Sequence, residues 1–206
     1  LGKLYFRYGV MSSGKTAQLI GVATNYEIQG KQVLIFTAAL DTRVEQNTVA
    51  SRNGLRARSL SFEKNTDLYA EVFSSMSEDL HCVLVDEAHF LTAAQVIQLS
   101  SVADSLGIPV ICFGLKNDFR NRLFEGAEYL LLHADSLEEI KTVCWFCNRK
   151  ATMNLRLSKG QPVYEGEQLF IGGTESYLPV CRRCYHNPPL WKLKKKDPSG
   201  KPDARS

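Results

Sequence analysis

No stretch of this chain is long and apolar enough to cross a bilayer. Among its 206 residues, 44% are hydrophobic and 23% charged, an ordinary balance for a globular domain, and every apolar run stops well short of the ~20 residues a spanning helix needs. A membrane-spanning helix is not expected on that ground. The sequence also has no basic-then-apolar leader, and it opens on LGKLYF without a Met, so the expectation is a cytoplasmic protein. A broad positive face is missing too. The net charge is +3, but from Pro189 onward six basic residues stand against Asp197 and Asp203, a surplus of +4 that leaves −1 for the rest. A slightly acidic body offers no general phosphate-neutralising surface, which argues against nucleic acid as partner. The tail KLKKKDPSGKPDARS reads as a solvated, disordered end.

What is there begins at Gly9. Residues 9–16 spell GVMSSGKT, the pattern G-x-x-x-x-G-K-[ST]. It follows an apolar, aromatic run that suits a buried strand and precedes helical spacing at Leu19, Ile20, Val22, Ala23 and Tyr26, with Gly30 where a helix end is expected. Glycines Gly9 and Gly14 let the backbone N–H groups of Met11, Ser12 and Ser13 curl around phosphate oxygens. The helix N-terminus adds partial positive charge, Lys15 supplies an ammonium for the outer phosphates, and Thr16 places a hydroxyl on Mg²⁺. This is an ATP site by its letters and by its flanks.

The stretch VLVDEAHF carries the four letters of a helicase group. HCVLV reads as a strand of a covered parallel sheet, and Asp86 falls at its carboxyl end, where ligands bind in open α/β sheets. Asp86 can hold Mg²⁺ through water opposite Thr16, and Glu87 is then aimed at the γ-phosphate as candidate general base. Whether that base serves a water in a motor or an alcohol in a kinase is not decided by two carboxylates. Length bears on it: only one phosphate loop is present, and too little chain follows Leu132 for a second ATPase-type domain. His89 reads as a structural hydrogen-bonding residue.

Six cysteines fall into two kinds. Cys82 and Cys112 sit inside strand patterns as small core residues. The others form Cys144-x-x-Cys147 and Cys181-x-x-Cys184, 33 residues apart, the spacing of a closed four-thiolate Zn²⁺ site; a redox pair would not need a second pair. The zinc is expected to be structural, stapling the ends of residues 148–180.

With these parts in hand, the chain resembles the thymidine kinases of the cytosolic, zinc-containing type. The resemblance rests on LYFRYGVMSSGKT, Asp41-Thr42-Arg43, VLVDEAHFL, IPVICFGLKNDFRNRLF, the cysteine pairs and GEQLFIGGTESYLPVCRRCY. It implies that Glu87 takes the proton of the nucleoside 5′-hydroxyl, that Arg43 stabilises charge at the transferring phosphoryl, and that Lys15, Thr16 and Asp86 serve ATP and Mg²⁺. It further implies that Phe119 stacks on the pyrimidine beside Met11 and Leu115. A lasso at residues 169–177 is expected to grip the base edge by its main chain, with Ile171, Gly172 and Gly173 near the base and Tyr177 adding its ring or hydroxyl. Deoxyuridine as a second acceptor, a homotetramer and feedback inhibition by thymidine triphosphate are implied in the same way.

The fold expected is α/β: a P-loop (RecA-like), mostly parallel sheet flanked by helices over residues 1–142, a zinc-binding lasso domain over 143–187 and a basic tail over 188–206. Strands are expected near Lys3–Tyr8, Gln32–Thr37, Cys82–Asp86 and Pro109–Gly114, with helices at Thr16–Gln29, Leu68–Ser75 and Ala93–Leu106. Three rival readings remain: a nucleoside-monophosphate kinase with a zinc lid, an ATPase stimulated by nucleic acid, and a regulatory nucleotide-binding module. The first places its lid mid-chain, whereas here the cysteines come last. The second predicts ATP turnover without any nucleoside. The intact Asp86-Glu87 pair speaks against the third.

Overall fold

The computed structural model describes residues 2–39, 48–51, 54–168 and 175–193. In chain order they form β1 (Leu4–Tyr8), α1 (Lys15–Glu27), β2 (Gln32–Ala38), β3 (Thr48–Ala50), β4 (Arg56–Arg58), β5 (Leu60–Phe62), α2 (Leu68–Ser74), β6 (Leu80–Val85), a 3-10 turn (Ala88–Phe90), α3 (Ala93–Leu106), β7 (Val110–Gly114), α4 (Glu125–His133), β8 (Ser136–Glu139), β9 (Met153–Ser158), β10 (Gln161–Val163), β11 (Glu175–Val180) and α5 (Arg182–His186), closed by a second 3-10 turn (Leu190–Lys192).

The central sheet has six strands in the order β5-β2-β6-β7-β1-β8, and every pairing in it is parallel. Parallel strands need a cover on both faces, and the side chains supply two. On β6, Val83 and Val85 join one apolar cluster with α2, α3 and α4, while Cys82 and Leu84 join the other with α1. The same alternation runs along β7, where Val110 and Cys112 face the first cluster and Phe113 the second. The two core cysteines therefore lie on opposite faces of the sheet, both fully buried. Burial pushes the Cys82 thiol up to about 12 and the Cys112 thiol higher still, so neither is a nucleophile.

Local signals fix the helix limits. Thr92 and Gln95 form a reciprocal capping box at the start of α3, satisfying two otherwise orphaned backbone donors. Asp67 caps α2 by accepting from the Ala70 N–H. The expected strands and helices all occur within a residue or two.

A second, smaller unit follows β8. Its three-stranded antiparallel sheet has the order β10-β9-β11, and its core cluster contains Cys144, Cys181 and Cys184 together with Phe146, Leu155, Leu157, Leu178, Val180 and Tyr185. Among the described residues no helix is long and apolar enough to cross a membrane.

Candidate active site

The strand β1 delivers the chain to Gly9 at the carboxyl edge of the sheet, and α1 starts at Lys15. Between them the loop turns so tightly that a Cβ on Gly9 would lie 2.5 Å from the Ser13 Oγ and 2.7 Å from the Ile140 carbonyl oxygen. Gly14 caps the helix with φ of 88°, a left-handed conformation that favours glycine. Lys15 is only 9% exposed, and its Nζ donates to the carbonyls of Val10 at 3.0 Å and Gly9 at 3.3 Å, which folds the ammonium over the loop. The buried Ser13 hydroxyl has no partner among the described residues. Together with the helix-terminal amides, which lack partners by construction, that donor set suits phosphate oxygens.

Two oxygens meet across the loop from this cradle. Thr16 Oγ1 donates to Asp86 Oδ2 at 2.9 Å, and Asp86 Oδ1 accepts the Glu87 N–H at 3.0 Å. Asp86 is 4% exposed. Burial first, and the neighbouring Glu87 carboxylate second, push its pKa up to about 7, against the pull of Thr16, the Glu87 N–H and Lys15. A hydroxyl and a crowded carboxylate at the helix start form an all-oxygen pair that fits Mg²⁺, whose charge would favour the ionised form.

Glu87 directly follows, with φ of 50° and ψ of 36°. A non-glycine residue in that region stores roughly 1–2 kcal/mol of backbone strain. Its carboxylate side chain retains 16% exposure. Behind it the buried His89 packs between the rings of Phe90 and Phe124, at 4.1 and 4.6 Å between centroids. The Leu115 N–H donates to His89 Nδ1 at 3.2 Å, so this nitrogen acts as acceptor, and its 3.6 Å approach to Glu87 Oε2 is proximity rather than a hydrogen bond. His89 thus anchors the turn that carries Glu87, as its reading from sequence suggested.

The rest of the candidate site is assembled from both units. Met11, half-buried in the phosphate loop, donates its N–H to the Oδ1 of Asn154 on β9 at 2.8 Å, and the Asn154 Nδ2 donates to the Asn117 carbonyl at 3.2 Å. Phe119 is 2% exposed. Its ring is surrounded by the guanidinium carbons of Arg156 at 4.7 Å and Arg120 at 5.7 Å, and by the Tyr177 ring, edge-on at 6.4 Å. Arg120 is itself fixed by Asp118 at 2.8 Å and donates to the Gly166 carbonyl at 2.8 Å. The Tyr185 hydroxyl, from α5, donates to the Phe119 carbonyl.

Lys15, Thr16, Asp86 and Glu87 therefore converge, and Met11, Leu115, Phe119 and Tyr177 approach the same edge through their neighbours. Arg43, Ile171, Gly172 and Gly173 lie outside the described residues. Sequence reading passed over Asn154, Arg156, Arg120, Phe90 and Phe124. A signal for the first two existed: in MNLRLS the polar Asn154 and Arg156 alternate with Leu155 and Leu157, yet all four are buried, so the polar face of β9 packs on protein rather than water.

The four thiols of Cys144, Cys147, Cys181 and Cys184 lie within 4.8 Å of one another. The Cys147–Cys181 and Cys147–Cys184 separations are 3.7 and 3.9 Å, far from a disulfide's ~2.05 Å. They match the ~3.8 Å edge of a tetrahedron with Zn–S of ~2.3 Å. At Cys144 burial raises the thiol's pKa, but N–H groups of Cys181, Phe146 and Cys147 outweigh it and bring the pKa to about 7. Those donors favour the thiolate a metal requires. The cluster fits zinc, its four thiols occupying every corner of a tetrahedron.

Sheet order, phosphate loop and carboxylate pair define a P-loop α/β protein of the nucleotide-handling class, with a four-cysteine appendage. A family model described as "Thymidine kinase" matches residues 2–185. The thymidine kinase of Shouchella clausii is 53% identical over 191 residues, covering 92% of this chain and 99% of that protein. Those of Lactococcus lactis and Lactiplantibacillus plantarum are 52% and 53% identical, each over 92% of this chain and over 100% and 98% of their own length. The chain belongs to the thymidine kinase family; it is a kinase.

Proposed function

We propose that the protein transfers the γ-phosphoryl group of ATP to the 5′-hydroxyl of thymidine, with deoxyuridine as a second acceptor, yielding the nucleoside monophosphate and ADP. The observation that carries this reading is the 2.9 Å contact between Thr16 and Asp86 with the strained Glu87 beside it, in a chain of this family. The phosphate loop and Lys15 hold the triphosphate. Mg²⁺, when bound at Thr16 and Asp86, neutralises charge on the phosphates. Glu87 accepts the 5′-hydroxyl proton as the oxygen attacks phosphorus in line and the P–O bond to ADP breaks. Arg43 stabilises the charge on the transferring group. Catalysis in this scheme is positioning and electrostatics rather than covalent chemistry.

Met11, Leu115 and Tyr177 line the nucleoside pocket, with Ile171, Gly172 and Gly173 along the base edge. Phe119 serves as a fixed wall that sets Tyr177 and Arg156 rather than as an exposed platform. Residues 1–142 act as the ATP-binding domain, 143–187 as the zinc-stapled lasso domain and 188–206 as its tail. A cytoplasmic location, a homotetramer and inhibition by thymidine triphosphate spanning both subsites complete the proposal.

The direct test measures ADP formation from Mg-ATP with thymidine, thymidine monophosphate or single-stranded DNA as sole addition. Stimulation by thymidine alone, with phosphate recovered on the nucleoside, is expected. Equal turnover in every tube sinks the reading.

A further inference from the structure

A groove of about 1000 Å³ lies on the outer side of the loop that follows β7, where the small unit meets the body. Three separate stretches build it: residues 116–123, 149–153 and 181–187. Its charged lining is of one sign, with Lys116, Arg149, Lys150, Arg182 and Arg183 present and no Asp or Glu. This contrasts with the chain before the tail as a whole, whose charge, groove included, is −1. The net balance thus conceals a segregation of charge.

Elsewhere on the described surface some cations are matched, Arg7 with Glu138 and Arg120 with Asp118; the groove differs in gathering five cations into one concave lining that holds no carboxylate. Among the described residues, the groove cation that is matched is Lys150, to Glu139 at 2.6 Å. Arg149, Arg182 and Arg183 form no ion pair among the described residues. Part of this charge has an internal use, because a zinc tetrathiolate beside Cys181 would carry −2. Five cations set against that −2 and the single Glu139 carboxylate still leave a surplus of +2. The chain's own basic tail is of the same sign and cannot satisfy it.

We propose that this groove is a second nucleotide-binding site, separate from the phosphate loop, taking the phosphates of a nucleoside polyphosphate on Arg149, Arg182 and Arg183 and its nucleoside on Leu123 and Met153. Guanidinium forks recognise phosphate oxygens in pairs. The volume is at the upper end of ordinary ligand pockets, roughly 300–1000 Å³, and suits one nucleotide. A single nucleic-acid strand would need the basic track to continue and stacking aromatics along it, whereas the body beyond the groove is acidic and the lining holds neither Phe, Tyr nor Trp. The site does not depend on the identity of the phosphoryl acceptor.

The test is a count. Equilibrium dialysis of the zinc-loaded full chain against Mg²⁺ and a non-hydrolysable ATP analogue should give two nucleotides per chain. The Arg182→Gln/Arg183→Gln variant should retain one, its second class weakened at least about tenfold, and added salt should weaken that class in the parent. Because these arginines flank cysteines, Lys116→Gln/Arg149→Gln is run in parallel with zinc content measured on each, and it should lose the same class while keeping its metal. One nucleotide per chain in the parent overturns the proposal. So does a variant that loses zinc with the nucleotide count unchanged, which would make the cations mere partners of the thiolates. A ten-residue oligothymidylate displacing the second nucleotide at far lower concentration would overturn the assignment in favour of a single strand.

Discussion

The body and the appended unit solve the same problem, holding a strand in place, by different means. In the body, β6 and β7 are sealed between two apolar clusters and their cysteines are inert filling. In the small unit the filling and the metal ligands are the same residues: Cys144, Cys181 and Cys184 belong to the core cluster itself. Burial can order the first without help, whereas the second is too small for that and is tied to its metal. The proposed nucleoside side of the site rests on this second unit, through Asn154, Arg156 and Tyr177. The proposal therefore implies that ATP handling and acceptor recognition have separable stabilities.

The largest predicted effect breaks the comparison outright. Stripping zinc with a chelator, or Cys144→Ser, should unfold the small unit, since structural zinc contributes about 10–16 kcal/mol in isolated zinc modules. Thymidine-dependent turnover should vanish while Mg-ATP still binds the body, and a zinc-free protein with full activity would refute the staple. Next comes Glu87→Gln, expected to leave ATP affinity nearly intact and to cut turnover by roughly 10²–10⁴; a rate near that of the parent would remove Glu87 from the role of base.

A matched pair of core truncations sharpens the contrast further. Leu99→Ala on α3 and Leu155→Ala on β9, both fully buried, should each cost about 2–5 kcal/mol. Only the first should lower the main unfolding transition, and the second should instead reduce zinc retention and raise KM for thymidine. The gentlest effect is a slope. Asp86 is protonated more readily folded than unfolded, so its contribution to stability is complete below the unfolded pKa of about 4 and is lost as pH rises through about 7. In Mg²⁺-free protein the melting point of the parent minus that of Asp86→Asn should fall across this window, and a flat difference would show that Asp86 ionises normally.

The phosphate side was legible because its chemistry is local: a loop of fixed spacing between a strand and a helix, and an acid pair at a strand end. Short strands escaped for want of length, β3, β4 and β5 having three residues each, too few for a period to show. The nucleoside side was opaque for another reason. Asn154 touches Met11 across 143 positions and Asn117 across 37, and no pattern in MNLRLS names those partners. Phe119, which the resemblance sets against the pyrimidine, is 2% exposed, and the guanidiniums around it come from Arg120 beside it and Arg156 far along the chain.

The order of the cysteines also has a meaning in time. Cys181 and Cys184 are the last ligands to be synthesised, some forty residues after Cys144, a delay of several seconds at about 5–20 residues per second. Throughout that interval the phosphate loop and its acid pair are already made, whereas Tyr177 and Tyr185 are among the last residues added before or just after the final cysteine. The body is thus complete in sequence before the residues that pack on Phe119 exist, and assembly of the site runs from the phosphate loop outward.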